Sequence, residues 1–159
     1  SVGGYDESLI RNQDYELNWR LRQAGYLVWF DPKLKVDYRP RDTLKKLASQ
    51  YFQYGAWKRH MLFRNPKSLR LRQLAAPALI LGFLGSFVTI LFGSYLGLVL
   101  PLLYFAFCIR YSFSQEDKKA PIDYLRLVVV FVVLHVSWGL GFLRPFPKSH
   151  AIGHYFKRI

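Results

Sequence analysis

The feature that most constrains this sequence is a stretch of 35 residues, from position 75 to position 109, that contains no charged side chain. One membrane-crossing helix needs about 20 apolar residues, so this stretch is too long for a single straight span. Gly93 and Ser94 near its middle predict a break between two spans. Residues 127–143, which contain no Asp, Glu, Lys or Arg, predict a further span of near-minimal length.

Positive charge is concentrated beside these apolar segments. The chain has 23 Lys and Arg against 10 Asp and Glu, and residues 58–72 contain six cations and no acid. Such flanks are typical of the cytoplasmic side of a membrane and favour anionic lipids. Basic and aromatic residues also suit nucleic acids, but the position of the cations favours membrane lipids and no nucleic acid. Three spans that start in the cytoplasm would place the basic tail, 144–159, outside the cell, against the tendency of positive charge to lie inside. The side on which the tail lies therefore stays open.

The first third of the chain has the pattern of a soluble domain. Asn12 predicts the start of a helix and Gly25 its end. Residues 26–30 are apolar with strong β-propensity, and 36–38 predict a second extended piece. A helix after Pro40, capped by Asp42 or Thr43, follows. The predicted fold class is therefore an α/β fragment followed by α-helical transmembrane segments.

Asp14 is the first candidate for chemistry. It lies in the first turn of the predicted helix, where the helix dipole and free N–H groups favour an ionised carboxylate. Such a carboxylate beside a sugar hydroxyl can act as a general base. Acids are common in first turns, so spacing alone favours a structural role. Glu16 is expected to pair with Arg20 at i,i+4 spacing.

Several motifs together resemble a known family. The chain is similar to the acceptor-side segment of family 2 glycosyltransferases, and closest to the membrane-bound branch that builds bacterial exopolysaccharides of the succinoglycan type. The resemblance covers about the first 65 residues. The motifs that carry it are Gly-Gly-Tyr-Asp-Glu at 3–7, Gln-Asp-Tyr-Glu-Leu at 13–17 with Arg20, Ala-Gly at 24–25, Trp-Phe-Asp-Pro at 29–32, Tyr-Arg-Pro-Arg at 38–41 and Gln-Tyr-Phe-Gln-Tyr-Gly at 50–55.

The resemblance implies a fold, a reaction and a base. Residues 1–65 would form the acceptor-side end of a GT-A-like nucleotide-sugar transferase domain. The reaction would be inverting transfer from a nucleotide sugar to a lipid-linked saccharide or polysaccharide. Asp14 would be the base, although Gln13 replaces the usual Glu before it. The family uses a divalent metal, Mg or Mn, held by an Asp-x-Asp motif in the nucleotide-binding half. That motif is absent here, so the fragment alone is expected to be inactive.

Processive relatives carry a Gln-x-x-Arg-Trp motif before a membrane helix. Gln53 and Trp57 have this spacing, but Ala56 stands where Arg is expected. This difference weakens the prediction of processive polymerisation. Gln53 and Trp57 are candidate acceptor-binding residues, since a Trp ring can stack on a sugar face. An interfacial membrane anchor is an equal alternative for Trp57. Arg39, Arg41 and Lys58 are weaker candidates for the diphosphate, and the alternative for each is an ordinary solvated or lipid-facing role.

His150 and His154 have helical spacing but no third ligand, so no metal site is predicted in this chain. We expect a multi-pass protein of the inner (plasma) membrane with its catalytic part in the cytoplasm. The alternative is a non-catalytic membrane module, a transporter or assembly subunit. The predicted organisation has six parts. They are 1–65, the catalytic-domain end; 66–73, a basic juxtamembrane linker; 74–109, a transmembrane hairpin; 110–126, a polar connector; 127–143, a transmembrane helix; and 144–159, a basic tail.

Overall fold

The computed structural model describes residues 2–9, 11–114 and 120–145. His150 and His154 lie outside this range. Throughout the described part the regular structure is helical. The α-helices are α1 (Gln13–Gln23), α2 (Leu44–Arg64), α3 (Ala75–Leu91), α4 (Val99–Phe113) and α5 (Pro121–Leu143), and short 3₁₀ turns lie at Pro66–Ser68, Leu71–Leu74 and Tyr95–Leu98.

The prediction of an α/β fragment is wrong. Residues 26–30 and 36–38 form no strand, and the described residues contain none. Leu27 is 92% exposed and Phe30 82% exposed, so neither packs against a neighbouring element. A strand requires a partner for its backbone N–H and C=O groups, and β-propensity mainly reports how well a side chain fits a pleated, half-buried surface. The high local propensity is therefore not sufficient to form a strand here.

Helix α1 begins and ends where the sequence predicts. Asn12 precedes it in a left-handed conformation (φ 62°), but its side chain does not cap the helix. Its Nδ2 instead donates to the carbonyl oxygen of Tyr54 at 3.3 Å, which joins α1 to α2. Gly25 follows the helix with φ 85°, a conformation that glycine adopts without strain.

Helix α2 packs closely against α5. Thr43 caps α2 by accepting a hydrogen bond from Lys46 N at 3.3 Å. A Cβ atom placed on Gly55 would lie 2.1 Å from the carbonyl oxygen of Trp138, and one on Gly141 would lie 2.0 Å from that of Phe52. The two backbones therefore meet without intervening side chains. Three apolar residues of α2 are almost fully buried: Ala56, Trp57 and Met61.

Three helical segments are long and apolar enough to cross a membrane: Leu71–Leu91, Tyr95–Phe113 and Pro121–Leu143. The break between the first two lies at Gly93 (φ 78°) and Ser94, as predicted. Helix α5 starts at Pro121, six residues before the predicted span, because proline suits the first turn of a helix. Many apolar side chains on these segments are exposed, as expected for surfaces that face lipid.

The C-terminal end of α5 lies beside the segment that precedes the spans. Arg59 of α2 donates to the carbonyl oxygens of Phe142, Leu143 and Arg144 at 3.4, 2.7 and 3.0 Å. A Cβ on Gly139 would lie 2.7 Å from Ala76 O at the start of α3. Arg144 thus lies beside Arg59 of the basic segment.

Candidate functional site

Asp14 lies in the first turn of α1 and is exposed. Its carboxylate makes no hydrogen bond or ion pair with any residue that the structure describes. A general base must have an oxygen within reach of the hydroxyl that it deprotonates, and exposure leaves the Asp14 carboxylate open to a substrate. Its catalytic role remains a prediction.

The predicted pairing of Glu16 with Arg20 is confirmed. Arg20 donates through Nε to Glu16 Oε1 at 2.7 Å and through Nη2 to Oε2 at 2.8 Å. It also donates to the carbonyl oxygens of Val2 and Gly4. Glu16 is only 4% exposed. The pair therefore attaches the segment before α1 to the helix that carries Asp14, which makes Glu16 a positioning residue.

Replacing Arg20 with Ala is expected to lower the free energy of unfolding by about 2 kcal/mol, since it leaves the buried Glu16 carboxylate without its partner. Thermal unfolding of the detergent-solubilised protein, followed by circular dichroism, measures this loss. Arg22→Ala on the exposed face of the same helix is the control and should change stability little. Equal effects of the two substitutions would contradict the role assigned to the buried pair.

A basic, polar pocket of about 490 Å³ lies at the start of α2. Two of the predicted site residues, Arg41 and Gln53, line it. Arg11 donates through Nε to Gln53 Oε1 at 3.2 Å, and Arg41 donates through Nε to Gln50 Oε1 at 3.1 Å. The lining residues are Arg11, Arg41, Thr43, Lys45, Lys46, Ser49, Gln50 and Gln53.

The two residues that precede α1 contact α2. Arg11 contacts Gln53 and Asn12 contacts Tyr54, so both of these α2 residues anchor the start of α1. Arg39, the other predicted diphosphate ligand, is exposed and does not line the pocket. Arg11 was not predicted as a site residue, because a lone arginine before a helix has no distinguishing sequence signal.

The Trp57 ring is buried, whereas both roles considered for it require an exposed ring. Its side chain is 0% exposed, and its ring meets that of His60 edge to face with centroids 5.6 Å apart. In this conformation the ring faces neither a sugar nor the lipid headgroups. Burial also lowers the pKa of the neighbouring His60 imidazole. The assignment of Trp57 to acceptor binding stays a prediction.

A metal site cannot be assembled from the described residues. Within 2–9, 11–114 and 120–145, no group of three or more His, Cys, Asp or Glu side chains is placed to hold an ion.

Helices α1 and α2, which carry these residues, precede three helical segments that are long and apolar enough to cross a membrane. Comparisons with known proteins identify relatives of the chain. The chain is 32% identical over 148 residues to the succinoglycan biosynthesis protein ExoA of Rhizobium meliloti (strain 1021), which covers 91% of this chain and 43% of that protein.

A second relative is a glycosyltransferase by name. The chain is 33% identical over 58 residues to the dolichyl N-acetyl-alpha-D-glucosaminyl phosphate 3-beta-D-2,3-diacetamido-2,3-dideoxy-beta-D-glucuronosyltransferase of Methanococcus voltae, over 36% of this chain and 18% of that protein. No family model and no solved structure matches. The resemblance to the exopolysaccharide branch of the glycosyltransferases is confirmed by these relatives. The chain spans less than half the length of either.

Proposed function

We propose that the full-length protein is an inverting family 2 glycosyltransferase of exopolysaccharide or cell-envelope biosynthesis. It moves a sugar from a nucleotide sugar to a lipid-linked saccharide or polysaccharide acceptor. The observation that carries this proposal is the similarity to a succinoglycan biosynthesis protein along 91% of the chain. The nucleotide-binding residues and the ligands for a divalent metal, Mg or Mn, are assigned to the part of the relatives that this chain does not span.

In the proposed step, the Asp14 carboxylate accepts the proton of an acceptor hydroxyl. The hydroxyl oxygen forms a bond to the anomeric carbon as the bond from that carbon to the diphosphate oxygen breaks, and the nucleoside diphosphate leaves. The base must be on the acceptor side, opposite the leaving group. Its exposed position in the first turn of α1 supports this role.

The pocket at the start of α2 supplies polar side chains for the substrate. Gln53 is assigned to the acceptor, and Arg41 to the departing diphosphate, which bears negative charge that arginine recognises well. Arg11 is added to these because it donates to Gln53 and fixes its side-chain oxygen. Arg39 remains a weaker diphosphate candidate, and Trp57 would contact an acceptor only after α2 separates from its neighbours.

We assign the catalytic part to the cytoplasmic face of the inner (plasma) membrane. The basic residues of 58–72 and Arg144 lie on one side of the apolar helices, and such clustering is typical of cytoplasmic segments. This placement brings the site next to the leaflet in which a lipid-linked acceptor would be presented.

A transfer assay tests the proposal against the alternative of a non-catalytic transporter or assembly subunit. Membranes containing the full-length protein are incubated with a panel of radiolabelled nucleotide sugars and then extracted with organic solvent. We expect label from one donor to enter the lipid or polymer fraction, and membranes without the protein to give none. Absence of transfer from every donor, with the protein folded and inserted, would favour the non-catalytic alternative.

A further inference from the structure

A second basic pocket lies on the other side of α1, where the chain enters its first apolar segment. It has a volume of about 390 Å³. Four cations line it, no acid does, and none of the four forms a salt bridge in the described part of the chain. The lining residues are Tyr15, Asn18, Trp19, Arg22, Gln23, Lys67, Ser68, Leu69, Arg70 and Arg72.

The floor of this pocket is buried and already ordered. Ser68 is 2% exposed, and its Oγ has no hydrogen-bond partner among the described residues. Tyr15 donates to the Ser68 carbonyl oxygen at 3.0 Å, and Lys58 Nζ donates to the same oxygen at 3.3 Å. Lys58 Nζ also lies 3.8 Å from the centre of the Tyr15 ring. A buried hydroxyl that lacks a partner can donate to a bound acceptor atom.

Lys58 adds positive charge from beneath the pocket. It is 4% exposed, and no carboxylate pairs with it among the described residues. Burial lowers the pKa of its ammonium group, the adjacent Tyr15 raises it, and Arg70 lowers it. An anion bound between Arg70 and Ser68 would offset the effects of burial and of Arg70. The charges at the floor and at the rim of the pocket therefore both favour an anionic ligand.

The position of the pocket, at the start of the first apolar segment, indicates a membrane lipid as the source of that ligand. The segment Leu71–Leu91 is long and apolar enough to span a membrane, so Arg70 and Arg72 are expected at headgroup level. Leu69 and Leu71 beside them are 41% and 85% exposed, which provides apolar surface for an acyl chain. A soluble phosphate would use the cations but not these leucines.

We propose that this pocket binds the phosphate headgroup of an anionic membrane phospholipid. Lys67, Arg70 and Arg72 surround the phosphate, the Ser68 hydroxyl donates to it, and an acyl chain follows the apolar surface that starts at Leu71. This bound lipid fixes the depth of α1 in the interface, and therefore the height of Asp14 above the bilayer. The site is separate from the pocket at the start of α2 and does not depend on sugar transfer.

Native mass spectrometry of the full-length protein, released from nanodiscs of dioleoylphosphatidylglycerol and dioleoylphosphatidylcholine, tests this site. We expect the wild type to retain phosphatidylglycerol in preference to phosphatidylcholine. The double variant Lys67→Gln/Arg70→Gln should bind phosphatidylglycerol on the order of 30-fold more weakly, since each cation near the surface contributes about one factor of five in affinity.

The matched control is Lys33→Gln/Lys35→Gln, which removes the same charge from exposed positions that do not line the pocket. It should retain the lipid like the wild type. An equal loss in both variants would overturn the site in favour of general charge attraction. Displacement of the lipid by soluble glycerol phosphate would overturn the lipid source and indicate a free-phosphate site. Unchanged retention in Lys67→Gln/Arg70→Gln would also contradict the proposal.

Discussion

Asp14→Asn in the full-length protein is expected to lower the turnover number for sugar transfer by at least about 100-fold. The amide has nearly the shape of the carboxylate but cannot accept the proton of the acceptor hydroxyl. Because Asp14 is exposed and makes no hydrogen bond with a described residue, its replacement should leave α1 intact. Initial rates at saturating donor and acceptor, with unchanged thermal stability, would show a loss confined to chemistry.

The control for this prediction is Asp37→Asn. Asp37 is also exposed, but it lies in the irregular segment between α1 and α2. It is expected to retain the wild-type turnover number within about twofold, as is usual for surface substitutions away from a site. Wild-type activity in Asp14→Asn would exclude Asp14 as the base, whatever the outcome for Asp37.

Gly55→Ala is expected to lower the free energy of unfolding by about 3 kcal/mol. Alanine normally stabilises a helix by about 1 kcal/mol relative to glycine, so the expected sign is the opposite of the intrinsic one. The reason is the contact with α5, where a Cβ atom would lie 2.1 Å from the carbonyl oxygen of Trp138 and 2.8 Å from Phe142 N. Both are backbone atoms, and relief requires the two helices to separate.

Gly85→Ala is the matched control, because Gly85 is also helical but has nothing within 4 Å of an added Cβ. It should be neutral or stabilising. Unfolding in mixed micelles of mild detergent and dodecyl sulfate compares the two variants directly. Equal stability of Gly55→Ala and Gly85→Ala would contradict the close contact between the α2 and α5 backbones at Gly55. Gly55 closes the motif at 50–55, so this contact also gives a physical reason for glycine at that position.

The helices and spans were largely predictable because their signals are local. The absence of charge in 75–109 and the break at Gly93 depend on nothing but the nearby sequence. The absence of strands among the described residues was not predictable in this way. Residues 26–30 have β-propensity, but a strand forms only when a second segment completes its hydrogen bonds, and no described segment does so.

The site shows the same division. The Glu16–Arg20 pair follows from i,i+4 spacing within one helix. The contact of Arg11 with Gln53 joins residues 42 positions apart, and no local pattern indicates it. Burial of Trp57 likewise depends on how α2 packs. Sequence therefore identified Asp14, Gln53 and Arg41 as candidates, and the fold showed that Gln53 and Arg41 share a pocket.

The most direct test of the proposed function is the anomeric configuration of the product, measured by NMR after transfer of a ¹³C-labelled sugar by the full-length protein. A single displacement assisted by the Asp14 carboxylate predicts a glycoside with the configuration opposite to that of the donor. Retention of the donor configuration would contradict a direct, base-assisted displacement. Absence of any glycoside from a folded, membrane-inserted protein would contradict glycosyl transfer itself.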